Sequence, residues 1–252
     1  SQCLSFFRMD KKYCNNIFLT FLLLLFALSI NGQSEKLYFQ SLRHGLSDQF
    51  VRCIFKDSKG FIWFGTQNGL TRYDGIKTVI YKNNPDDKNS ISYNNISSIY
   101  EDSKGNLWIG TFYGFNLYNR LKDNFIRIAA FTDIVVSGIC EDRDHNIWVG
   151  TIGRGLMKYN AENNTTENFA VNSTDISSRN SNHITCILTD HEDRLWVGTW
   201  NGLYLMNRYG NIIRHFVKQP DHEGLSDNFV NALSFENDSV LWIGTLYGGI
   251  DR

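Results

Sequence analysis

The chain has 252 residues, and its 25 lysines and arginines nearly balance its 26 aspartates and glutamates, which leaves a formal net charge of −1 at pH 7. Such a balance provides no basic field for binding nucleic acid or an anionic membrane surface. The chain has 20 glycines and 2 prolines, and aromatic residues make up 14% of it. This composition favours a fold that is rich in strands and turns.

The N-terminal segment predicts export from the cytoplasm. Residues 1–8 precede the first methionine, and we interpret them as an upstream extension that is not structural. Residues 9–33 predict a signal peptide, because two lysines near its start are followed by an uncharged apolar run over 17–30. This run is shorter than the roughly 20 apolar residues that a spanning helix needs. We therefore expect a periplasmic domain, with an uncleaved N-terminal anchor as the alternative.

A five-residue phrase recurs five times along the rest of the chain. It consists of Leu or Ile, Trp, an apolar residue, Gly and Thr, and its tryptophans are 45, 40, 48 and 46 residues apart. A period of this length is typical of a protein built from repeated structural units. We predict that the tryptophans of the phrase form the structural core of the repeats: Trp63, Trp108, Trp148, Trp196 and Trp242.

The segment before each Trp predicts a strand followed by a tight turn. Val or Ile stands twelve residues before Trp, a small residue ten before, and Ile or Leu nine before, an alternation that indicates a strand. The small position predicts close approach of inner strands around a shared axis. An Asp or Glu six residues before Trp closes the strand, and turn-forming residues follow it. The position eleven residues before Trp is polar: Arg52, Ser97, Ser137, Thr185 and Asn231.

The Trp phrase predicts a second strand, and two further strands follow it. Four antiparallel strands within one repeat make a blade of a β-propeller, so the predicted fold class is all-β. The propeller is expected over 34–252, with an outer closing strand at 37–45. Its blades are predicted at about 46–90, 91–131, 132–175, 176–222 and 223–252. The fifth blade is incomplete, because the chain reaches Arg252 inside a third strand, and we expect a fragment of a larger propeller.

The repeat resembles that of the two-component regulator propeller family. The resemblance covers about residues 37–252 and rests on the acidic strand end, the Gly turn, the Trp phrase and the Gly-Leu and Tyr-Asp or Tyr-Asn pairs that follow. In that family such repeats form the extracytoplasmic sensor of membrane-bound hybrid histidine kinases. The resemblance implies a role in two-component signal transduction and carbohydrate sensing. It also implies that kinase activity and an inner-membrane anchor belong to parts of the full-length protein outside this region.

Motifs for metal binding or catalysis are missing from the sequence. Residues 142–146 begin like a calcium-binding loop, but Ile147 and Gly153 stand where that loop needs Gly and Glu. Neither a Gly-x-Ser-x-Gly nor a His-Glu-x-x-His sequence is present. We therefore expect no metal, no cofactor and no catalytic residue in this region. A secreted propeller lyase or hydrolase, with a site assembled from distant loops, is an alternative.

The tips that follow the Gly-Thr pair are the predicted binding site. They vary between repeats and combine aromatic with amide and basic side chains, which suits an oligosaccharide ligand that stacks its ring faces and hydrogen-bonds its hydroxyls. Arg154 could also pair with an acidic sugar or another carboxylate. The candidate ligand-binding residues are Gln67, Asn68, Phe112, Tyr113, Arg154, Trp200, Asn201 and Tyr247.

Two roles for this tip surface stay open beside sugar binding. The aromatic tip residues can pack on the next blade, in which case they belong to the scaffold. They can also meet a protein partner or a second copy of the chain, which would make this a protein-interaction or dimerisation propeller.

Overall fold

The structure is a computed structural model that describes residues 45–171, 180–219 and 224–252. The predicted upstream extension (1–8), the signal peptide (9–33) and residues 37–44 of the predicted closing strand lie outside the described residues. Within the described ranges, no helix is long and apolar enough to cross a membrane.

Five antiparallel sheets, each made of strands that are consecutive in the chain, form the described domain. Blade 1 contains β1 (Val51–Lys56), β2 (Ile62–Thr66), β3 (Gly69–Tyr73) and β4 (Thr78–Tyr81). Blade 2 contains β5 (Ile96–Glu101), β6 (Leu107–Thr111), β7 (Gly114–Asn119) and β8 (Asn124–Arg127). Blade 3 contains β9 (Val136–Glu141), β10 (Ile147–Thr151), β11 (Gly155–Asn160) and β12 (Thr165–Phe169). Blade 4 contains β13 (Ile184–Thr189), β14 (Leu195–Thr199), β15 (Gly202–Met206) and β16 (Ile212–Phe216). Blade 5 contains β17 (Val230–Asn237), β18 (Val240–Thr245) and β19 (Ile250–Asp251).

The sheets are arranged as the blades of a β-propeller, which confirms the predicted fold class. The inner strands β1, β5, β9, β13 and β17 pack against one another in that order. In each blade the tip between the second and third strands lies beside the start of the inner strand, because the two strands pair antiparallel. We call this side of the domain the tip face. The opposite side carries the turns between the first and second strands, and we call it the turn face.

The hydrophobic core lies between neighbouring blades. Trp63 of blade 1 packs in one cluster with Leu107 and Ile109 of blade 2. Trp148 of blade 3 packs in another with Leu195 and Val197 of blade 4. The indoles of the first four repeats are thus covered by the following blade, as the recurrence of Trp suggested.

An acidic side chain on the turn face holds each indole in place. Trp63 Nε1 donates to Asp57 Oδ2 at 2.9 Å, and the equivalent bond recurs in all five repeats, ending with Trp242 Nε1 to Glu236 Oε2 at 3.0 Å. The other carboxylate oxygen of Asp57 accepts two backbone N–H groups of its own turn. Burial by itself raises the pKa of Asp57, but hydrogen bonds from Arg120 and Trp63 bring that pKa below its ordinary value. The acidic residue that ends the inner strand therefore has two roles: it fixes the conformation of the turn, and it orients the Trp side chain.

The Gly of each phrase allows the next blade to approach. A Cβ atom on Gly150 would lie 2.6 Å from Cγ2 of Ile184, the first residue of the next inner strand. Gly244 in blade 5 is different, since the nearest atom to its Cβ would be Cβ of Ala232 in the same blade, at 3.4 Å. Consistently, Trp242 is 38% exposed although it was expected in the core, because no described strand packs on that side of blade 5.

Candidate functional site

A β-bulge in each inner strand removes one residue from the sheet pairing. In blade 1, Val51 pairs with Thr66 and Cys53 pairs with Gly65, so that the residue between them has no partner across the ladder. An extra residue of this kind changes the direction of its side chain, and bulges are frequent next to binding sites. The same register shift occurs in all five blades, and the residues it leaves unpaired are Arg52, Ser97, Ser137, Thr185 and Asn231.

These five unpaired residues line one central cavity of about 550 Å³. The cavity lies toward the tip face, because its lining also includes residues that precede the inner strands, such as Phe50 and Val135, and tip residues, namely Phe112 and Ile152. A volume of this size is in the range of about 300–1,000 Å³ that small-ligand pockets occupy. We call this cavity the channel mouth.

Two hydroxyl groups of the channel mouth have unused hydrogen-bonding capacity. Thr185 Oγ1 donates to the carbonyl oxygen of Val230 at 2.5 Å. By contrast, the Oγ atoms of Ser97 and Ser137 are buried and have no hydrogen-bond partner among the described residues. A buried polar atom without a partner costs free energy. Because these two oxygens expose almost no surface, a serine has to change its rotamer before its hydroxyl bonds to a ligand in the cavity.

Arg52 supplies the charge of the channel mouth. Its guanidinium carbon lies 4.9 Å from the centre of the Phe112 ring and 5.6 Å from that of Phe50. Contacts of this kind between a cation and ring faces are attractive and orient the guanidinium. Among the residues that line the cavity, none is acidic. The channel mouth therefore carries one positive charge, and this charge lies against two aromatic rings.

Each tip is held next to the loop that enters its own blade. The first tip residue donates its backbone N–H to the carbonyl oxygen of the residue just before the inner strand, for example Phe112 to Asn95 at 3.0 Å and Ile152 to Val135 at 3.0 Å. The same bond forms in the other three blades. The tips thus share one anchoring bond, whereas their lengths and their side chains differ.

Trp200, the first tip residue of blade 4, connects two blades. Its ring centre lies 5.2 Å from that of Phe229 at the entrance of blade 5, in a stacked arrangement, and 4.1 Å from that of His183. Burial lowers the pKa of His183. Trp200 is still 37% exposed. It therefore combines packing on the next blade with an accessible aromatic surface.

A second depression on the tip face lies over the outer part of blade 2. It has a volume of about 300 Å³, and Tyr93 and Tyr113 form its aromatic wall, with ring centres 4.9 Å apart. Arg127, Thr132 and Asp133 contribute the polar part of its lining. Tyr113 is 52% exposed, so its ring is accessible to a ligand. We call this depression the tyrosine cleft.

The predicted site residues do not converge on one pocket. Phe112 lines the channel mouth and Tyr113 lines the tyrosine cleft, although they are neighbours in the chain. Asn201 donates through Nδ2 to Ser181 Oγ at 3.1 Å, beside Trp200. The remaining candidates lie on exposed tips outside both cavities: Gln67, Asn68, Arg154 and Tyr247.

Sequence reasoning missed residues that precede or begin the inner strands. Phe50 and Arg52 line the channel mouth and Tyr93 lines the tyrosine cleft, and none of them belongs to a tip. The sequence did contain a signal for Arg52, namely the polar residue that stands between a β-branched and a small residue in every repeat. A polar residue recurs at that position because its side chain points away from the hydrophobic core.

The hairpin that imitates a calcium loop uses its acidic residue for the scaffold. Asp142 accepts the backbone N–H groups of Asp144 and Asn146 on Oδ1 and the indole N–H of Trp148 on Oδ2, at 2.9–3.0 Å. Asp57, Asp102 and Asp190 accept the same three bonds in blades 1, 2 and 4, which explains why an acidic residue stands at this position.

The repeats also match a known family model. The model, described as two component regulator propeller, matches residues 45–68, 90–113, 130–153 and 178–201. Each matched segment of 24 residues contains an inner strand, its turn and the Trp phrase up to the tip. The fold and the channel mouth define a β-propeller of repeated blades around a ligand-sized central cavity. The chain belongs to the two-component regulator propeller family.

Individual proteins are similar to part of the sequence or to the fold. The chain is 38% identical over 78 residues to histidine kinase P4 of Formosa agariphila, an alignment that spans 30% of this chain and 6% of that protein. The extracellular domain of a putative hybrid two-component system from B. thetaiotaomicron is similar in structure, with a TM-score of 0.69 and 22% identity over 84% of this chain and 28% of that one. Virginiamycin B lyase from Staphylococcus aureus has a TM-score of 0.60 and 18% identity, over 82% of this chain and 71% of the lyase. At such identities the structural likeness shows the fold alone.

Proposed function

We propose that this region is the ligand-binding sensor of a hybrid histidine kinase and that it lies in the periplasm. Family membership supports the proposal, as do one relative named a histidine kinase and one similar structure described as the extracellular domain of a hybrid two-component system. Kinase activity would then belong to parts of the protein outside this region. The channel mouth supports binding over catalysis, because its lining includes neither a carboxylate nor an imidazole for acid–base chemistry.

The proposed ligand is an oligosaccharide bound on the tip face. The observation that carries this proposal is the exposure of aromatic rings next to polar groups at the tips, above all in the tyrosine cleft. Tyr113 presents a ring beside the polar side chains of Thr132 and Asp133. Trp200 offers a second aromatic surface elsewhere on the same face. A chain of several sugar units can contact more than one such site at once.

Calorimetric titration of the purified chain with a panel of neutral and acidic oligosaccharides tests this proposal. We expect Tyr113→Ala and Trp200→Ala each to raise the dissociation constant by about threefold to tenfold, which corresponds to the free energy of one aromatic stacking contact. Tyr209→Ala is the matched control, since Tyr209 is exposed in the β15–β16 turn on the turn face. Absence of binding across the panel, or an equal loss in the Tyr209 variant, would contradict oligosaccharide binding on the tip face.

A further inference from the structure

We infer that the channel mouth binds the carboxylate group of a small acidic ligand, with Arg52 as its charge partner. This inference deepens the proposed function, since it names the chemical class of ligand that one part of the tip face takes. The reasons are the charge of the cavity, its unused hydrogen-bonding groups and its size.

The first reason is an arginine without a partner of opposite charge. Across the described ranges, the guanidinium of Arg52 forms neither an ion pair nor a hydrogen bond, and its contacts are the rings of Phe50 and Phe112. Asp48, four residues before Arg52, accepts the backbone N–H of Phe50 at 2.8 Å and forms no ion pair with Arg52. The guanidinium is therefore available, and its planar fork of N–H groups matches a carboxylate in two parallel hydrogen bonds.

The second reason is that the other polar side chains of the lining are neutral hydrogen-bonding groups. The hydroxyls of Ser97 and Ser137 have no partner among the described residues, and Asn231 adds an amide to the same lining. A ligand that carries both a carboxylate and hydroxyl groups could bond to Arg52 and to these neutral groups. With about 550 Å³, the cavity has room for one or two sugar rings or for another acid of similar size.

The third reason is the way in which the scaffold presents Arg52. It is the residue of β1 that the bulge releases from pairing with β2, so its side chain serves no ladder contact. The equivalent residues in the four other blades are Ser, Ser, Thr and Asn, which are uncharged. Because only one of the five residues around the channel is charged, that residue fixes the side of the channel to which an anion binds.

The test uses the 252-residue chain and three probes at constant ionic strength: sodium glucuronate, glucose and sodium acetate. Binding is measured by calorimetry, and the Nε–H resonance of Arg52 is followed by NMR. We expect glucuronate to shift this resonance saturably and glucose to leave it unchanged. Acetate separates recognition of a bare carboxylate from recognition of an acidic sugar. Equal affinity for acetate would assign the site to small carboxylic acids, and weaker binding of acetate would assign it to acidic sugars.

Variants separate the charge of Arg52 from a structural role. Arg52→Gln is expected to weaken glucuronate binding by about tenfold or more, as for a hydrogen-bonded charge pair, and Arg52→Lys is expected to weaken it less. Arg214→Gln is the matched control, because Arg214 is an exposed arginine that lies over a phenylalanine ring, as Arg52 does, but belongs to the outer strand β16 outside the channel mouth, and it should leave binding unchanged. The inference fails if neither carboxylate gives a saturable shift, or if glucose binds as well as glucuronate.

The inference and the proposed function can fail independently. Neutral oligosaccharides that bind through Tyr113 and Trp200 with no effect of Arg52→Gln would leave the sensor proposal standing and overturn the carboxylate site. Carboxylate binding at Arg52 without binding of any oligosaccharide would leave the carboxylate site standing and overturn oligosaccharide binding on the tip face.

Discussion

Trp148 and Trp242 stand at the same position of the repeat, yet we expect them to contribute very differently to stability. Trp148 is 0% exposed and packs against blade 4, whereas Trp242 is 38% exposed. Burying a Trp side chain removes about 150–250 Å² from water, which corresponds to about 4–6 kcal/mol as an upper bound. Because truncation of a buried Trp costs about 3–5 kcal/mol, Trp148→Ala should lower the free energy of unfolding by that amount.

Trp242→Ala should cost less, about 1–2 kcal/mol, for two reasons. A large part of its ring already contacts water, and the Glu236 carboxylate that would lose the indole N–H is itself exposed to solvent. The Asp142 carboxylate that bonds to Trp148 is buried by comparison, so loss of a donor there adds to the cost.

Urea unfolding followed by far-ultraviolet circular dichroism measures both losses, because this signal does not depend on the tryptophan that is removed. Trp148→Phe serves as an intermediate variant, since it keeps an aromatic ring and removes the N–H that Asp142 accepts. Its loss should lie between those of the wild type and Trp148→Ala. Equal losses for Trp148→Ala and Trp242→Ala, within about 0.5 kcal/mol, would refute the argument that coverage by the next blade determines the contribution of each Trp.

Three further predictions follow from the scaffold. Gly150→Ala should destabilise the domain by about 1–3 kcal/mol, because its methyl group would collide with Ile184, while Gly244→Ala should change the same urea midpoint little. Burial raises the pKa of Asp57, but the hydrogen bonds it accepts lower that pKa below its ordinary value, so its contribution is present above about pH 4 and is lost as the pH falls through the folded-state pKa. The stability difference between the wild type and Asp57→Asn should therefore shrink between about pH 6 and about pH 3, and a constant difference would contradict this. Burial also raises the pKa of the Cys53 thiol to about 12, so this thiol should resist alkylation at about pH 8 until urea unfolds the chain, which a mass-spectrometric time course checks.

The blade architecture was predictable from the sequence because its determinants are local and recur. The strand pattern, the turn and the Trp phrase repeat in register, and the small or absent side chains at positions such as Gly150 indicate where one blade contacts the next. The bond between Trp63 and Asp57 was not predicted, although both residues recur at constant spacing. A constant separation between a donor and an acceptor is a signal that could have revealed it.

The candidate site was less predictable, because it depends on the direction in which side chains point, which the pattern of residue types along a strand does not specify. Alternation along a strand places Arg52 on a face of the sheet, and only the bulge shows that its side chain lines the channel mouth. Two tip residues that are neighbours in the chain also line different cavities, since Phe112 lines the channel mouth and Tyr113 lines the tyrosine cleft. The sequence contains no long-range signal that joins Tyr113 to Tyr93, because their contact depends on how the loop before β5 lies beside the β6–β7 tip.

The five bulges have a consequence for how such a domain diversifies. Gene duplication produces blades that are alike, and a ring of identical blades would present the same group at every position of the channel. The residue released by each bulge pairs with no neighbouring strand, so it can be substituted while the ladder on either side of it is retained. Arg52 and its four neutral counterparts are an example of a lining that has lost the symmetry of its blades. Selection can therefore alter ligand preference at these five codons separately, without altering the parts of the repeat that make it fold.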